Sequence, residues 1–371
     1  MKIASRMGLI DSSGIRKIFD LAKNLSDPIN LSIGQPDFDV PEPIKQAACK
    51  AIEQGHNRYT LTQGIPELRE RIKIHIEAKK HASVEEVLIT SGVSGGIFLS
   101  FIALLEAGDE IIVPDPYFVM YKHLTRLLGA TPVYLDLEED FSLDPKKLEK
   151  LITPRTKALI LNSPSNPTGT VIPKDTLREI AEIARKWGIV IISDEIYDGF
   201  VYEKDYESIA KYYPDTLILA GFSKEYAMTG WRLGYAAGPA KLVNEMIKLQ
   251  QYTFVCAPSM VQYAGLAALD FDTESFRKEY VAKRDIIYNG LKDKFQVTKP
   301  DGAFYIYPKA PGGSGTAFVT KAIENNLLII PGNVFSEHDT HFRISFAASQ
   351  ETLYRGIEVL NRLAGQFCGG K

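Results

Sequence analysis

Two cations, Lys224 and Arg232, carry the most chemical information in this chain of 371 residues. They follow the apolar run Leu217-Ile218-Leu219-Ala220, which reads as a buried strand and stops at Gly221. Lys224 therefore stands where the chain leaves a sheet. Desolvating an ammonium is costly, so a lysine held in such a place binds its proton weakly, which suits Schiff-base chemistry. Arg232 lies on a turn bracketed by Gly230 and Gly234. Two cations so near each other call for an anion, and a phosphate is the natural candidate. A surface loop with two solvated cations is the competing reading.

The elements that must position these residues alternate through the middle of the chain. Residues 87–90, 110–113, 157–161, 189–192 and 217–219 read as strands, and Lys174–Trp187 reads as a helix with Ile180, Ile183 and Ala184 on one face. Continuous apolar strands separated by helices predict a largely parallel sheet covered on both sides. Each strand ends in a polar or glycine-rich cluster: Ser91-Gly92, Asp115 to Phe118, Asn162 to Gly169, Asp194-Glu195, and Ser223-Lys224. Open α/β sheets bind ligands outside the carboxyl ends of their strands, so these clusters should converge on one crevice. The last third has a different texture. Residues 274–292 predict a long charged helix, 302–307 and 341–346 predict strands, and 317–325 and 351–363 predict helices, with a flexible loop at 311–315. The expected division is an N-terminal segment 1–45 contributing to a small domain, a large domain 46–270, and a small α+β domain 271–371. A helix at 15–22 should pack with the small domain.

Several further residues face the predicted crevice. Gly92-Val93-Ser94-Gly95-Gly96 leads into an apolar helix expected from about Ile97, whose free backbone N–H groups, with the Ser94 hydroxyl, suit an anion. Such a segment could also be only a strand-to-helix turn. Asp194 closes an apolar strand on the same side as Lys224, although aspartate is also a favoured helix cap. Asn166 sits in a loop held by Pro164, Pro167 and Gly169, which turns its amide inward. Arg343 alternates with apolar residues on a predicted strand. Its guanidinium can hold a carboxylate through two parallel hydrogen bonds, or serve a surface salt bridge.

From about residue 30 to residue 346 these motifs resemble, in order, those of the class I aminotransferases, which carry pyridoxal 5'-phosphate. Residues 221–234 are similar to the family's S-x-S-K-x-x-x-x-x-G-x-R-x-G signature, and residues 162–169 to its N-x-P-x-N-P-T-G loop. Gly34 to Pro41 resembles its G-x-P-D-x-x-x-P loop, and Tyr59 to Arg69 its Y-x-x-x-x-G-x-x-x-L-R segment. The resemblance implies an α/β protein of fold type I: a large cofactor-binding domain with a mainly parallel seven-stranded sheet, and a smaller α+β domain. It implies that Lys224 carries the cofactor and moves the substrate proton. Asp194 would face the pyridine nitrogen, since an anion there keeps the ring protonated and electron-accepting. Tyr197 would bond the ring hydroxylate, Phe118 would stack on the ring, and Val93, Ser94 and Arg232 would surround the phosphate. Asn166 would serve both ring and substrate, while Arg343 and the Gly34 backbone would hold the substrate carboxylate. Tyr59 would reach the neighbouring subunit's phosphate, which implies a homodimer with shared sites. Gly221 and Val93 depart from the usual residues, and the 92–96 loop lacks the second cation of some aspartate-preferring relatives.

The activity so implied is transfer of the amino group of an L-amino acid to a 2-oxo acid, with 2-oxoglutarate as the expected acceptor, by a ping-pong mechanism. A lyase or synthase of the same fold, working by β- or γ-elimination, shares Lys224, Asp194 and Arg343. A cofactor-sensing regulator would need a DNA-binding module, for which residues 2–29 are too few. Composition agrees with an enzyme: 45% hydrophobic and 24% charged residues, with a net charge of -3 from interspersed signs, suit a soluble globular protein and not a nucleic-acid binder. No signal peptide or membrane span is expected, and three cysteines without metal-like spacing fit a reduced cytoplasmic setting.

Overall fold

The computed structural model describes residues 1–12, 14–15, 26–137, 140–203 and 206–368. After β1 (Ile29–Asn30), which belongs to a small sheet, seven strands build the centre of the fold. They are β2 (Glu86–Ser91), β3 (Glu110–Asp115), β4 (Thr131–Asp136), β5 (Thr156–Asn162), β6 (Val190–Asp194), β7 (Thr216–Gly221) and β8 (Leu233–Gly238). Their order across the sheet is β2-β8-β7-β6-β5-β3-β4. Every neighbouring pair is parallel except the two made by β8, which runs antiparallel to both β2 and β7.

Alternation along the strands feeds apolar layers on both faces. Leu217 and Leu219 of β7 join one buried cluster with Ala158 and Ile160 of β5, whereas Ile218 and Ala220 pack on the opposite side. The amphipathic helix Lys174–Trp187 covers the face of β5 and β6 that carries Leu159, Leu161 and Ile191. Five of the seven strands coincide with the sequence expectation; β4 and β8 do not. β4 is an edge strand with Pro132 and mostly unburied residues, so it lacks an apolar run. β8 reads Leu-Gly-Tyr-Ala-Ala-Gly, poor in β-formers, and is a strand because β2 pairs with it over its whole length and β7 over residues 234–237.

The direction of β8 matters for chemistry. Because it alone runs backwards, its first residue lies at the edge where the other strands end, and Arg232 immediately precedes it. Gly234 makes the approach possible, since a Cβ there would lie 2.7 Å from the backbone of Gly92. The helix Gly92–Leu104 starts at that same edge, earlier than Ile97 as the sequence suggested. Gly96 lets this helix lie close on β7, as a Cβ there would meet Leu219 at 2.9 Å. The glycine-rich stretch is thus the helix's first turn and not a loop before it.

The C-terminal third carries β9 (Tyr305–Ile306), β10 (Leu327–Leu328), β11 (Ile330–Pro331) and β12 (Phe342–Ser345). β12 lies between β11 and β9, antiparallel to both, and β10 pairs in parallel with β1. Helices Glu274–Leu291, Gly315–Glu324 and Gln350–Cys368 surround these strands. Two expectations are corrected here. The strand expected at 302–307 shrinks to two residues, because only Tyr305 and Ile306 face β12. Residues 311–315 are not a loop: Pro311–Gly313 forms a 3-10 turn, and the Ser314 hydroxyl caps the next helix by accepting from Ala317 N–H. Most of the helix expected at 15–22 lies outside the described residues.

Candidate active site

One cleft at the carboxyl edge of the large sheet gathers nearly every residue singled out above. Its walls include Gly34, Val93, Ser94, Phe118, Asn166, Asp194, Tyr197, Lys224, Arg232 and Arg343. They come from strand ends far apart in sequence, which the parallel order brings side by side: Asn162 of β5 is the register partner of Asp194 on β6, itself the partner of Leu219 on β7.

Lys224 lies on the turn after β7, and its Nζ donates to the Gly34 carbonyl at 2.6 Å. The rings of Tyr197 and Phe304 lie 5.8 and 6.0 Å away. Desolvation in the cleft, reinforced by the guanidinium groups of Arg343 and Arg232, lowers the Lys224 pKa to about 8. The neutral, nucleophilic amine is therefore far more populated near neutral pH than in an ordinary lysine.

Asp194 is buried at the end of β6. Burial raises its pKa to about 6, opposed by donors: Tyr121 Oη at 2.6 Å to Oδ2, and the Ile196 N–H at 3.3 Å to Oδ1. A turn and not a helix follows, so the helix-cap reading of Asp194 does not hold. Glu195 does not line the cleft. Its carboxylate accepts from Lys80 Nζ at 2.7 Å and from the hydroxyls of Ser193 and Ser208 at 2.7 and 2.6 Å, a fully satisfied buried anion behind the Asp194 turn.

The opposite wall holds a circuit of polar side chains. Arg343, on β12, is 1% exposed and so does not lie at the surface. Its Nη1 donates to Asn166 Oδ1 at 3.0 Å and its Nη2 to the Ser32 carbonyl at 2.8 Å, while its Nε is buried without a partner. Asn166 Nδ2 in turn reaches Tyr197 Oη at 3.5 Å, and Tyr197 Oη lies 2.9 Å from Tyr305 Oη. The Arg343 guanidinium sits over the Tyr305 ring, 4.5 Å from its centre. Asn162 fixes the Asn166 loop by accepting from the Asn166 N–H at 2.8 Å.

At the far end, Arg232 crosses the start of the helix Gly92–Leu104. Its Nη1 and Nη2 donate to the carbonyls of Thr229 at 3.0 Å and Ser91 at 3.4 Å. Gly92 has φ +65, and a Cβ there would lie 2.5 Å from Arg232 Nη2. The guanidinium, the Ser94 hydroxyl and the free N–H groups of the first helical turn make a cradle for a phosphate-sized anion. At Gly221 a Cβ would meet Gly234 Cα at 2.7 Å, so the backbone packing of β7 on β8 leaves no room for a side chain there.

Tyr59 is not in this cleft. It is 84% exposed, on the surface beside Leu61. Ser223 lines the cleft as its strand-end cluster predicts, whereas Tyr121 and Tyr305 are not found from sequence. Tyr121 follows Phe118 by one helical turn, a spacing that carries no signal unless the partner of Asp194 is sought. Tyr305 belongs to the stretch 302–307, which reads only as a strand with polar alternation.

A cation cradle at one end, a buried carboxylate facing a lysine of lowered pKa in the middle, and a buried arginine with unused donor capacity at the other end fit a phosphorylated aromatic aldehyde beside a carboxylate substrate. Comparison with known proteins agrees. A model of the family described as aminotransferase class I and II matches residues 26–360. The chain is 42% identical to a probable aspartate aminotransferase of Methanocaldococcus jannaschii, over 97% of this chain and 99% of that one. It is 40% identical to an aspartate aminotransferase of Pyrococcus horikoshii, over 100% and 98%. Among solved structures, an aspartate aminotransferase from Thermus thermophilus with maleate superposes with a TM-score of 0.94 at 34% identity, covering 98% of this chain and 100% of that one.

Proposed function

The chain belongs to the class I and II aminotransferases, pyridoxal 5'-phosphate enzymes of fold type I that move an amino group from an amino acid to a 2-oxo acid, and we propose that the cleft just described is where it does so. The observation that carries the reading is the meeting of Lys224, Asp194, Arg232 and Arg343, from four separate elements, in one cleft.

In this reading Arg232, Ser94 and the first-turn N–H groups at Gly92 and Val93 hold the cofactor phosphate. Phe118 would pack on the cofactor ring, Asp194 would hold the proton of its nitrogen, and Tyr197 and Asn166 would donate to its oxygen. Lys224 Nζ is the attachment point. When bound, the cofactor supplies a protonated pyridine ring that draws electrons from the substrate α-carbon. Arg343, helped by Asn166 and the Gly34 backbone, holds the α-carboxylate and so fixes the α-carbon within reach of Lys224. Lys224 Nζ would carry the α-proton, and burial beside Arg343 and Arg232 favours its neutral, proton-accepting form more than in a free lysine. 2-Oxoglutarate is the acceptor that closes the ping-pong cycle.

Assembly and organisation are part of the proposal. Tyr59 serves the neighbouring subunit's cofactor in a homodimer. The exposed side chains of Tyr59, Leu61, Tyr252, Phe254 and Val255 support this, since Gln250 Nε2 bonds the Thr62 carbonyl at 2.7 Å and brings their two segments together. The domain boundaries are 1–45, 46–270 and 271–371, supported by the confinement of β2–β8 to the middle segment and by the pairing of β1 with β10. A cytoplasmic setting is supported by the unpaired thiols of Cys49 and Cys256. Among the described residues no helix is long and apolar enough to cross a membrane.

The test is turnover of a panel of L-amino acids with and without an added 2-oxo acid. Transamination requires the acceptor, and steady turnover without it would instead support β- or γ-elimination.

A further inference from the structure

Tyr197 has one hydroxyl proton and more than one claim on it. Asn166 Nδ2 donates to its oxygen at 3.5 Å, and Tyr305 Oη lies 2.9 Å away, where either tyrosine could be the donor. On the function proposed above, Tyr197 spends its proton on the cofactor's ring oxygen. The hydrogen bond between the two tyrosines must then be donated by Tyr305. A donor whose own oxygen accepts a hydrogen bond is polarised into a stronger donor, more so where water is excluded. Tyr305 itself is held from three sides: its ring lies under the Arg343 guanidinium, it pairs through β9 with Ser345 of β12, and its hydroxyl occupies the space a side chain at Gly34 would need.

We propose that Tyr305 is a positioning residue that directs the Tyr197 proton to the cofactor's ring oxygen and ties that bond to Arg343, the carboxylate-binding arginine. A carboxylate arriving on Arg343 changes the charge against the Tyr305 ring, and Tyr305 passes the change to Tyr197. The cofactor thereby senses an occupied carboxylate site before any bond is broken. This inference rests on the cofactor placement proposed above.

The experiment is a spectrophotometric pH titration of resting holoenzyme, read as the midpoint of the visible colour change. Without the Tyr197 donation the ring oxygen keeps more negative charge and holds the neighbouring proton more tightly, so the midpoint rises. Tyr305→Phe keeps the ring on Arg343 and should raise the midpoint by about 0.5–1 pH unit, the size expected for a neutral hydrogen bond. Tyr197→Phe should raise it further, and the double variant should match Tyr197→Phe alone, because Tyr305 acts only through Tyr197. Saturating propionate should shift the wild-type midpoint and shift that of Tyr305→Phe less. Replacing Tyr305 by 3-fluorotyrosine, a stronger donor of nearly the same shape, should move the midpoint down, and supplies the decision if Tyr305→Phe yields no holoenzyme. An unmoved midpoint in Tyr305→Phe or with 3-fluorotyrosine, or additive shifts in the double variant, would overturn the role of Tyr305. An unmoved midpoint in Tyr197→Phe would instead overturn the cofactor placement.

Discussion

At the scale of single residues the cleft works by shifting proton affinities in opposite directions. Lys224 falls to about 8 because burial and two guanidinium groups disfavour its ammonium, while Asp194 rises to about 6 because burial disfavours its carboxylate. Each shift has a sign that can be checked. The reactive form of Lys224 is the neutral amine, so the rate at which apoenzyme takes up cofactor should climb with pH and level off above about 8. A rate still climbing beyond pH 10 would indicate an ordinary lysine. In the proposed role Asp194 meets the cofactor as a carboxylate, so uptake of cofactor by apoenzyme should fall as pH drops through about 6. Tyr121→Phe removes the donor that opposes this rise and should carry the acid limb of the pH profile upward; a limb that stays in place would remove Tyr121 from the site's electrostatics. Arg343→Ala should raise KM by about tenfold to a hundredfold for every amino acid and oxo acid tried, because a charge-assisted bond of about 1.5–3 kcal/mol to the shared carboxylate is lost. Damage restricted to certain side chains would place Arg343 in a specificity pocket instead.

At the scale of elements, strand direction and glycine placement do the positioning. Lys224, Asp194 and Asn166 were legible because each follows an apolar run that had to be a strand, and parallel strands end on one side. Arg232 was legible only as part of a motif. Its position depends on β8 running antiparallel, and nothing in Leu-Gly-Tyr-Ala-Ala-Gly announces a strand. The Tyr121–Asp194 and Tyr197–Tyr305 bonds were invisible for a different reason. They join segments 73 and 108 residues apart, and side-chain pairs at such separations leave no local pattern. Gly92 tests this level of the account. Its φ of +65 and its closeness to Arg232 disfavour any side chain. Gly92→Ala should weaken cofactor retention by roughly tenfold, from about 1–2 kcal/mol of left-handed strain together with displacement of the guanidinium. Gly230→Ala, where a Cβ meets nothing within 4 Å, is the control and should bind as wild type. Equal retention in both would separate the Gly92 turn from phosphate binding.

At the scale of the whole molecule, the cleft draws its walls from the large sheet and from the small sheet of β9, β11 and β12. The large sheet brings the lysine, the aspartate and the phosphate cradle, while β12 brings Arg343 and β9 brings Tyr305. Tyr59, exposed and outside this cleft, fits the same logic one level up. Mixing Tyr59→Phe subunits with Lys224→Ala subunits gives heterodimers in which one site lacks both groups and the other keeps both. If Tyr59 acts across the dimer, the Lys224-bearing site should regain wild-type cofactor affinity, whereas persistent weak binding there would confine Tyr59 to its own chain. The most direct test of the central claim is chemical. Borohydride reduction of the yellow holoenzyme, followed by proteolysis and peptide mass mapping, should find the cofactor fixed to Lys224 and to no other lysine, and Lys224→Ala should fold but take up no label. Label on any other lysine, or full labelling of Lys224→Ala, would contradict the account.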